Sequence, residues 1–224
     1  MADKEKCIVV LSGGLDSSTV AYWAKKEGYD VHAITFRYGQ IATKEVESAE
    51  RIAKELGAPI KVVDLSSLRE IFTGVTSLCD ESIPMTSSFS QPIIVPFRNG
   101  ILLSVAIAYA EVLGATRVFY GAQGSDEQFY PDCRKEFYKS FETTARLGTD
   151  RDIVIEAPFS QISKSDLVKI GTALGVPYYL TWSCYLNGAR HCGRCESCAN
   201  RRKAFEQTEI ADPTEYDSKL DRTR

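Results

Sequence analysis

A strand, a glycine-rich turn and a helix N-terminus in immediate succession constrain this chain more than any other feature. Cys7-Ile8-Val9-Val10 reads as a buried strand. Leu11-Ser12-Gly13-Gly14-Leu15-Asp16-Ser17-Ser18 follows, and Thr19 to Lys26 reads as the first turns of a helix. Unpaired backbone N–H groups at such a junction point outward, and the helix dipole favours an anion. Two adjacent glycines let the backbone approach a phosphate closely and adopt positive φ. Ser12, Ser17 and Ser18 add hydroxyl donors, and Asp16 is placed to cap the helix or to help hold Mg²⁺. The loop lacks the Lys-Ser/Thr of a Walker A motif and the G-x-G-x-x-G of a dinucleotide fingerprint.

The following pattern predicts an α/β chain with a doubly wound, mostly parallel five-strand sheet. Strands are expected at 7–11, 31–36, 60–63, 118–120 and 153–155. Helices are expected at 16–28, 41–57, from 98 to 113, 134–147 and 163–174, with Ser163 as the N-cap of the last. Gly28, Gly57, Gly114 and Gly175 close four of them. The β-α-β-α-β beginning argues for parallel pairing. In such sheets ligands sit beyond the C-terminal strand ends, so the 11–18 loop and Arg37-Tyr38-Gly39-Gln40 should share one cleft. Residues 73–95 are rich in Ser, Thr and Pro and read as a long loop or lid. The helix after Arg98 is apolar on most faces, which predicts burial. The polar tail beyond Asp212 is expected to fray.

Past Pro177 the pattern changes. Cys184, Cys192, Cys195 and Cys198 stand at C-x7-C-x2-C-x2-C spacing, with Gly193 available for a tight turn. Four thiolates so close in sequence suit a closed tetrahedral Zn²⁺ site, structural rather than catalytic, with one ion per chain. An iron–sulfur cluster and redox disulfides are the rival readings. His191 adjoins Cys192 and is assigned a supporting or solvent role rather than ligation. Cys7 is expected in the core. The chain is thus divided into a nucleotide-binding unit at 1–176 and a zinc-binding segment with a helical tail at 177–224.

The 224 residues carry a net charge of −3, which argues against general nucleic-acid or membrane binding. The N-terminal residues show no signal-peptide pattern, and the longest apolar stretch, 101–113, is shorter than the about 20 residues a bilayer needs. Seven cysteines, clustered at one end, point to a reducing cytoplasm with a metal site rather than to a secreted disulfide framework.

The loop resembles the pyrophosphate loop of the ATP pyrophosphatase superfamily, whose members cleave ATP to AMP and pyrophosphate while adenylating a substrate. Phe36-Arg37-Tyr38-Gly39-Gln40, Val95-Pro96-Phe97-Arg98-Asn99, Tyr130-Pro131-Asp132-Cys133-Arg134-Lys135-Glu136-Phe137 and Ser183-Cys184-Tyr185 with its Cys-Gly-x-Cys-x-x-Cys partner extend the likeness. In this order, over about residues 7–205, they resemble the 7-cyano-7-deazaguanine synthase (QueC) family of queuosine and archaeosine biosynthesis. The resemblance implies an adenine nucleotide alpha hydrolase-like fold. It also implies an ATP- and Mg²⁺-dependent ligase that turns 7-carboxy-7-deazaguanine and ammonia into the nitrile, through an adenylated acid and an adenylated amide. It places ATP on residues Leu11 to Thr19, Phe36 and Tyr38, with Lys164, Arg98 and Asp16 in the chemistry. The heterocycle would meet Gln40, Asn99, Phe129, Tyr130 and Asp132, of which Asp132 has capping the next helix as its simpler role. No glutaminase domain is recognisable, so free or partner-supplied ammonia is expected, together with a homodimer and no direct nucleic-acid contact.

The sequence departs from the family pattern at Arg37, where Asp is common, at Ile41-Ala42 in place of Arg-His, and at Ser125-Asp126-Glu127-Gln128-Phe129, which lacks a Ser-Gly pair. All three are expected at the cleft rim. Rival readings are a relative that stops at the amide or uses another amine, a tRNA-modifying enzyme of the same superfamily, and a zinc-ribbon binding module whose basic patch would be Arg194, Arg201, Arg202 and Lys203. The acidic balance and the clustered cysteines weigh against the second, and the nucleotide sheet against the third.

Overall fold

The computed structural model describes residues 4–124 and 127–217. Five strands form one parallel sheet in the order β3-β2-β1-β4-β5: β1 (Lys6–Val10), β2 (Asp30–Arg37), β3 (Ile60–Asp64), β4 (Arg117–Phe119) and β5 (Val154–Glu156). The helices are α1 (Leu15–Lys26), α2 (Lys44–Leu56), the single turn α3 (Arg69–Phe72), α4 (Arg98–Leu113), α5 (Lys135–Gly148), α6 (Lys164–Ala173) and α7 (Glu196–Glu206). This is the doubly wound architecture the sequence predicts, with boundaries moved by one or two residues and α2 beginning at Lys44, after a turn.

Both faces of the sheet are covered, so its strands read as continuous apolar runs rather than alternating ones. Ile8, Ile34, Val118 and Ile155 face α4 and α5. Cys7, Val9, Val31, Ala33 and Phe119 face α1, α2 and α6. Each fully buried aliphatic side chain contributes roughly 1.5–3 kcal/mol of transfer free energy. The caps match the chemistry of their residues. Ser163 Oγ accepts from Asp166 N at 3.1 Å, and Gly57, Gly114 and Gly175 take positive φ just past helix ends.

Residues 73–95 form the expected long loop, and it is tied down, with Thr76, Ser77 and Cys79 fully buried and Ser77 N donating to Pro92 O at 2.8 Å. Two expectations are corrected. α4 is not buried all round: Val112 is 81% exposed on its outer face. The tail beyond Asp212 does not fray through Asp217. Asp217 N donates to His191 O at 2.8 Å, and Tyr216 Oη donates to Asp212 Oδ2 at 2.6 Å. Of the departing run, Ser125 and Asp126 lie outside the described residues. No helix among the described residues is long and apolar enough to cross a membrane.

Candidate active site

The sheet order reverses at β1, so a crevice opens between the C-terminal ends of β1 and β4. Gly121, two residues past β4, permits the approach there: a β-carbon on it would lie 2.8 Å from Ser17 N. The crevice holds a cleft of about 230 Å³. Its walls are the loop after β1, Tyr38 and Glu45, Leu78 and Ile93 of the long loop, the start of α4, Tyr120 to Ala122 with Tyr130 and Cys133, Lys164, and Trp182, Ser183, Tyr185, Glu196, Ser197, Asn200 and Arg201.

The loop is braced from within. Ser12 N donates to Ser17 Oγ at 3.1 Å, and the two hydroxyls are 3.0 Å apart. Ser18 Oγ donates to Gly14 O at 2.6 Å, while Thr19 Oγ1 donates to Leu15 O at 2.9 Å and lies 3.0 Å from Tyr178 Oη. Ser18 and Thr19 therefore turn their side chains inward, and Leu11 and Leu15 are core residues; Ser12, Gly14, Leu15, Asp16 and Ser17 line the cleft. Gly14 is the N-cap of α1 and provides no side-chain acceptor, which leaves first-turn N–H groups for a ligand. Gly13 has φ +82° and packs on the backbone of α2.

Asp16 does not cap α1. Its Oδ2 pairs with Lys164 Nζ at 3.1 Å, and its Oδ1 is buried without a hydrogen-bond partner among the described residues. Lys164 opens α6, where a cation opposes the helix dipole; its place beside Asp16 across the cleft accounts for it. Arg98 enters from the start of α4, Nη1 3.4 Å from Tyr38 Oη, and burial pushes the Tyr38 phenol up to about 12. Phe97, with φ +54°, makes the turn that delivers Arg98.

The residues expected to read a heterocycle divide. Asn99 and Tyr130 line the cleft. Gln40 does not: its Oε1 accepts from Tyr38 N at 2.8 Å and its Nε2 donates to Phe36 O at 3.0 Å, so the amide closes its own turn. Phe36 lies in the core. Asp132 caps a helix, but α4 rather than α5, accepting from Asn99 N at 2.8 Å. Phe129 stacks on Phe89 of the long loop, ring centroids 4.0 Å apart. The other departures are off the cleft as well. Arg37 is exposed at the end of β2, and Ala42 packs beside Cys184.

The four Sγ atoms of Cys184, Cys192, Cys195 and Cys198 lie within 4.8 Å of one another. Leu186 N and Cys192 N donate to Cys184 Sγ at 3.3 and 3.4 Å, and Cys195 N to Cys192 Sγ at 3.3 Å, as a thiolate set requires. Gly193 takes φ +69° between the ligands. The donor set fits tetrahedral zinc. His191 stays outside it. It accepts from Ser183 N at 3.0 Å, lies against Trp182, and is driven down to about 4 by burial and by Arg201.

Glu45, Tyr120 and Asn200, which lie in no sequence motif, also line the cleft, as do Tyr185 and Glu196 from within the cysteine motif. Tyr185 Oη donates to Glu196 Oε2 at 2.8 Å, so the cysteine segment builds part of the wall. Arg201 is no part of a basic surface. It is 1% exposed and bonded to Thr181 Oγ1, Tyr178 O and Asp212, while Arg194, Arg202 and Lys203 are exposed.

A family model described as "Queuosine biosynthesis protein QueC" matches residues 6–209. Among curated proteins, the 7-cyano-7-deazaguanine synthase of Caldicellulosiruptor bescii is 42% identical over 219 residues, covering 96% of this chain and 99% of its own. That of Methanoculleus marisnigri is 45% identical over 221 residues, covering 95% and 99%. Among solved structures, a 4-thiouridine synthetase–RNA complex with bound ATP shares the fold at TM-score 0.53 and 21% identity, over 91% of this chain and 50% of that one.

Proposed function

Because the chain belongs to the QueC family, we propose that it is an ATP-dependent ligase-type enzyme converting 7-carboxy-7-deazaguanine and ammonia into 7-cyano-7-deazaguanine. The observation that carries this is the convergence on one cleft of the donor loop, the Asp16–Lys164 pair, Arg98 and the cysteine-segment wall, in a chain matched over almost its whole length.

A carboxylate oxygen is a poor leaving group, and transfer to the α-phosphorus of ATP turns it into part of AMP. The carboxylate attacks that phosphorus, and pyrophosphate departs. The first-turn N–H groups of α1 and the Ser12 hydroxyl hold the β- and γ-phosphates, and Lys164 and Arg98 meet the charge that develops. Asp16 fits Mg²⁺, since its Oδ1 is orphaned beside the phosphate loop; the ion would neutralise phosphate charge there. Ammonia then displaces AMP to give the amide. A second ATP activates the amide oxygen, and loss of AMP leaves the nitrile. Asn99 and Tyr130 flank the heterocycle, Tyr130 by stacking. The four cysteines hold one zinc ion in a structural role, and the exposed Arg202 and Lys203 serve a homodimer contact.

The test is incubation with 7-carboxy-7-deazaguanine, ammonia, Mg²⁺ and ATP, followed by mass spectrometry. Nitrile with two AMP per product is expected. Product halting at the amide assigns the truncated reaction, and no AMP with any deazapurine acid refutes the proposal.

A further inference from the structure

Glu45 places a carboxyl group in the cleft wall that, among the described residues, has no hydrogen-bond or ion-pair partner. Its position is fixed by backbone packing. A β-carbon on Gly13 would lie 2.2 Å from Glu45 O and 2.7 Å from Ala49 N, so the phosphate loop and α2 are in direct main-chain contact. A first-turn acid favours the helix dipole, but Glu47 in the same turn does so from solvent, whereas Glu45 faces inward. An unpaired carboxyl turned into a partly dry cleft is costly. Nothing in the packing of α2 requires it, because Val46, Ala49, Ile52, Ala53 and Leu56 already form its buried face.

The charged and titratable groups that face Glu45 are Arg98 of α4, Tyr38 after β2, Cys79 of the long loop and Cys184 of the cysteine segment. Burial raises the carboxyl to about 7, with Arg98 opposing and Cys184 adding to the rise. A carboxyl so placed exchanges protons near neutral pH.

We propose that Glu45 is a catalytic residue, the proton acceptor for nitrogen in the carbon–nitrogen steps; this rests on the reaction assigned under Proposed function. In amide formation, ammonia nitrogen attacks the acyl carbon of the adenylated acid. The C–N bond forms, the C–O bond to AMP breaks with its electron pair leaving on AMP, and one N–H proton passes to the Glu45 carboxylate. In nitrile formation, the amide oxygen attacks the second ATP, pyrophosphate leaves and one N–H proton passes to the Glu45 carboxylate; the imidate so formed then loses its remaining N–H proton to the same carboxylate as the C–O bond breaks and AMP leaves with the electron pair. Each step releases one proton, and the acid returns it to solvent between steps. Adenylation of the acid, whose carboxylate has no proton to lose, needs no such base.

The test is Glu45→Gln, read by two reactions on one preparation. ATP–pyrophosphate exchange with the deazapurine acid, without ammonia, reports adenylation. AMP-coupled amide and nitrile formation reports nitrogen transfer. Exchange is expected within about threefold of the native chain, and nitrogen transfer is expected to fall at least about 100-fold. With free NH₃ held constant across the pH series, nitrogen transfer in the native chain rises with pH through about 7, because the carboxylate is the active form; Glu45→Gln lacks that limb. Retained exchange also shows that the variant is folded. Nitrogen transfer within threefold of native overturns the proposal. Equal loss of both reactions overturns it too, since Glu45 would then serve nucleotide binding or folding. Absent acid-dependent exchange in the native chain refutes the assigned reaction, and the role of Glu45 with it.

Discussion

Replacing Gly13 by Ala separates two costs that the loop combines. The first is conformational: φ at Gly13 is +82°, and an L-residue there costs about 1–2 kcal/mol. The second is steric. The new methyl would sit 2.2 Å from Glu45 O and 2.7 Å from Ala49 N, where ordinary contact begins at 3.4 Å. Both neighbours are backbone atoms of α2, which cannot rotate aside as a side chain does. The helix or the loop has to retreat by about 1 Å, at an overpacking cost of roughly 1–3 kcal/mol. Gly28→Ala is the control: φ is +97° and nothing lies within 4 Å of the added methyl, so only the first cost applies. Urea unfolding of the two variants should show Gly13→Ala less stable than Gly28→Ala by about 1–3 kcal/mol. Turnover should fall with Gly13→Ala alone, because the loop also anchors Trp182 N through Gly13 O at 2.9 Å. Equal destabilisation of the two variants, or native turnover in Gly13→Ala, would refute the claim that the loop is seated on α2.

Asp16→Asn removes the negative charge that pairs with Lys164 and leaves one oxygen where there were two. ATP turnover should drop at least about 100-fold, while stability changes by less than about 1 kcal/mol, because both side chains are about a quarter exposed; thermal melts alongside kinetics check the split. Asp132→Ala removes the acceptor for Asn99 N at the start of α4, which should cost about 1 kcal/mol on denaturant unfolding. If KM for the deazapurine acid stays unchanged, capping is the whole of its role. Asp212 titrates below its ordinary 3.8: burial pushes it up, and Arg201, with the Tyr216 and Thr214 bonds, outweighs burial. A depressed carboxylate stabilises the fold above its unfolded value and loses that contribution as pH falls through the folded one. Stability measured below about pH 4 should therefore fall more steeply in the native chain than in Asp212→Asn, which is also less stable at pH 7 by about 2 kcal/mol.

The nucleotide half was legible because its elements are local. The glycines that close α2, α4 and α6 need only their own backbone conformations, and the Ser163 cap lies three residues from its donor. The cysteine cluster was legible because its four members are so close in sequence that the spacing alone brings their thiols together. What escaped depends on contacts between distant segments. Gln40 carries a polar amide in a motif, and nothing in the sequence shows that its own turn consumes both ends of it. Asp132 looked like the cap of the following helix, yet the N–H it caps, that of Asn99 in α4, lies 33 residues earlier. Arg201 stands in a basic run, and only the fold shows it buried against Thr181 and Asp212. Glu45 is one of several acids on an amphipathic helix, and only the approach of Gly13 and Arg98 distinguishes it.

The cysteine segment does more than brace the sheet. Trp182, just before the first cysteine, bonds to Gly13 of the phosphate loop, and Arg201 joins α7 to Tyr178 O, whose hydroxyl in turn meets Thr19 of α1. Glu196 N donates to Thr86 O of the long loop, while the Glu196 carboxylate holds Tyr185 in the cleft wall. Folding of this segment therefore fixes one edge of the phosphate loop, one end of the long loop and one wall of the cleft together. Metal bound by the four thiolates supplies folding free energy to the segment. Coupling between two sites is reciprocal, so whatever the metal contributes to cleft affinity, a ligand in the cleft returns to metal affinity. An ion held by these four cysteines would sit at this junction rather than at the far edge of the sheet, and would set the geometry of the loop after β1.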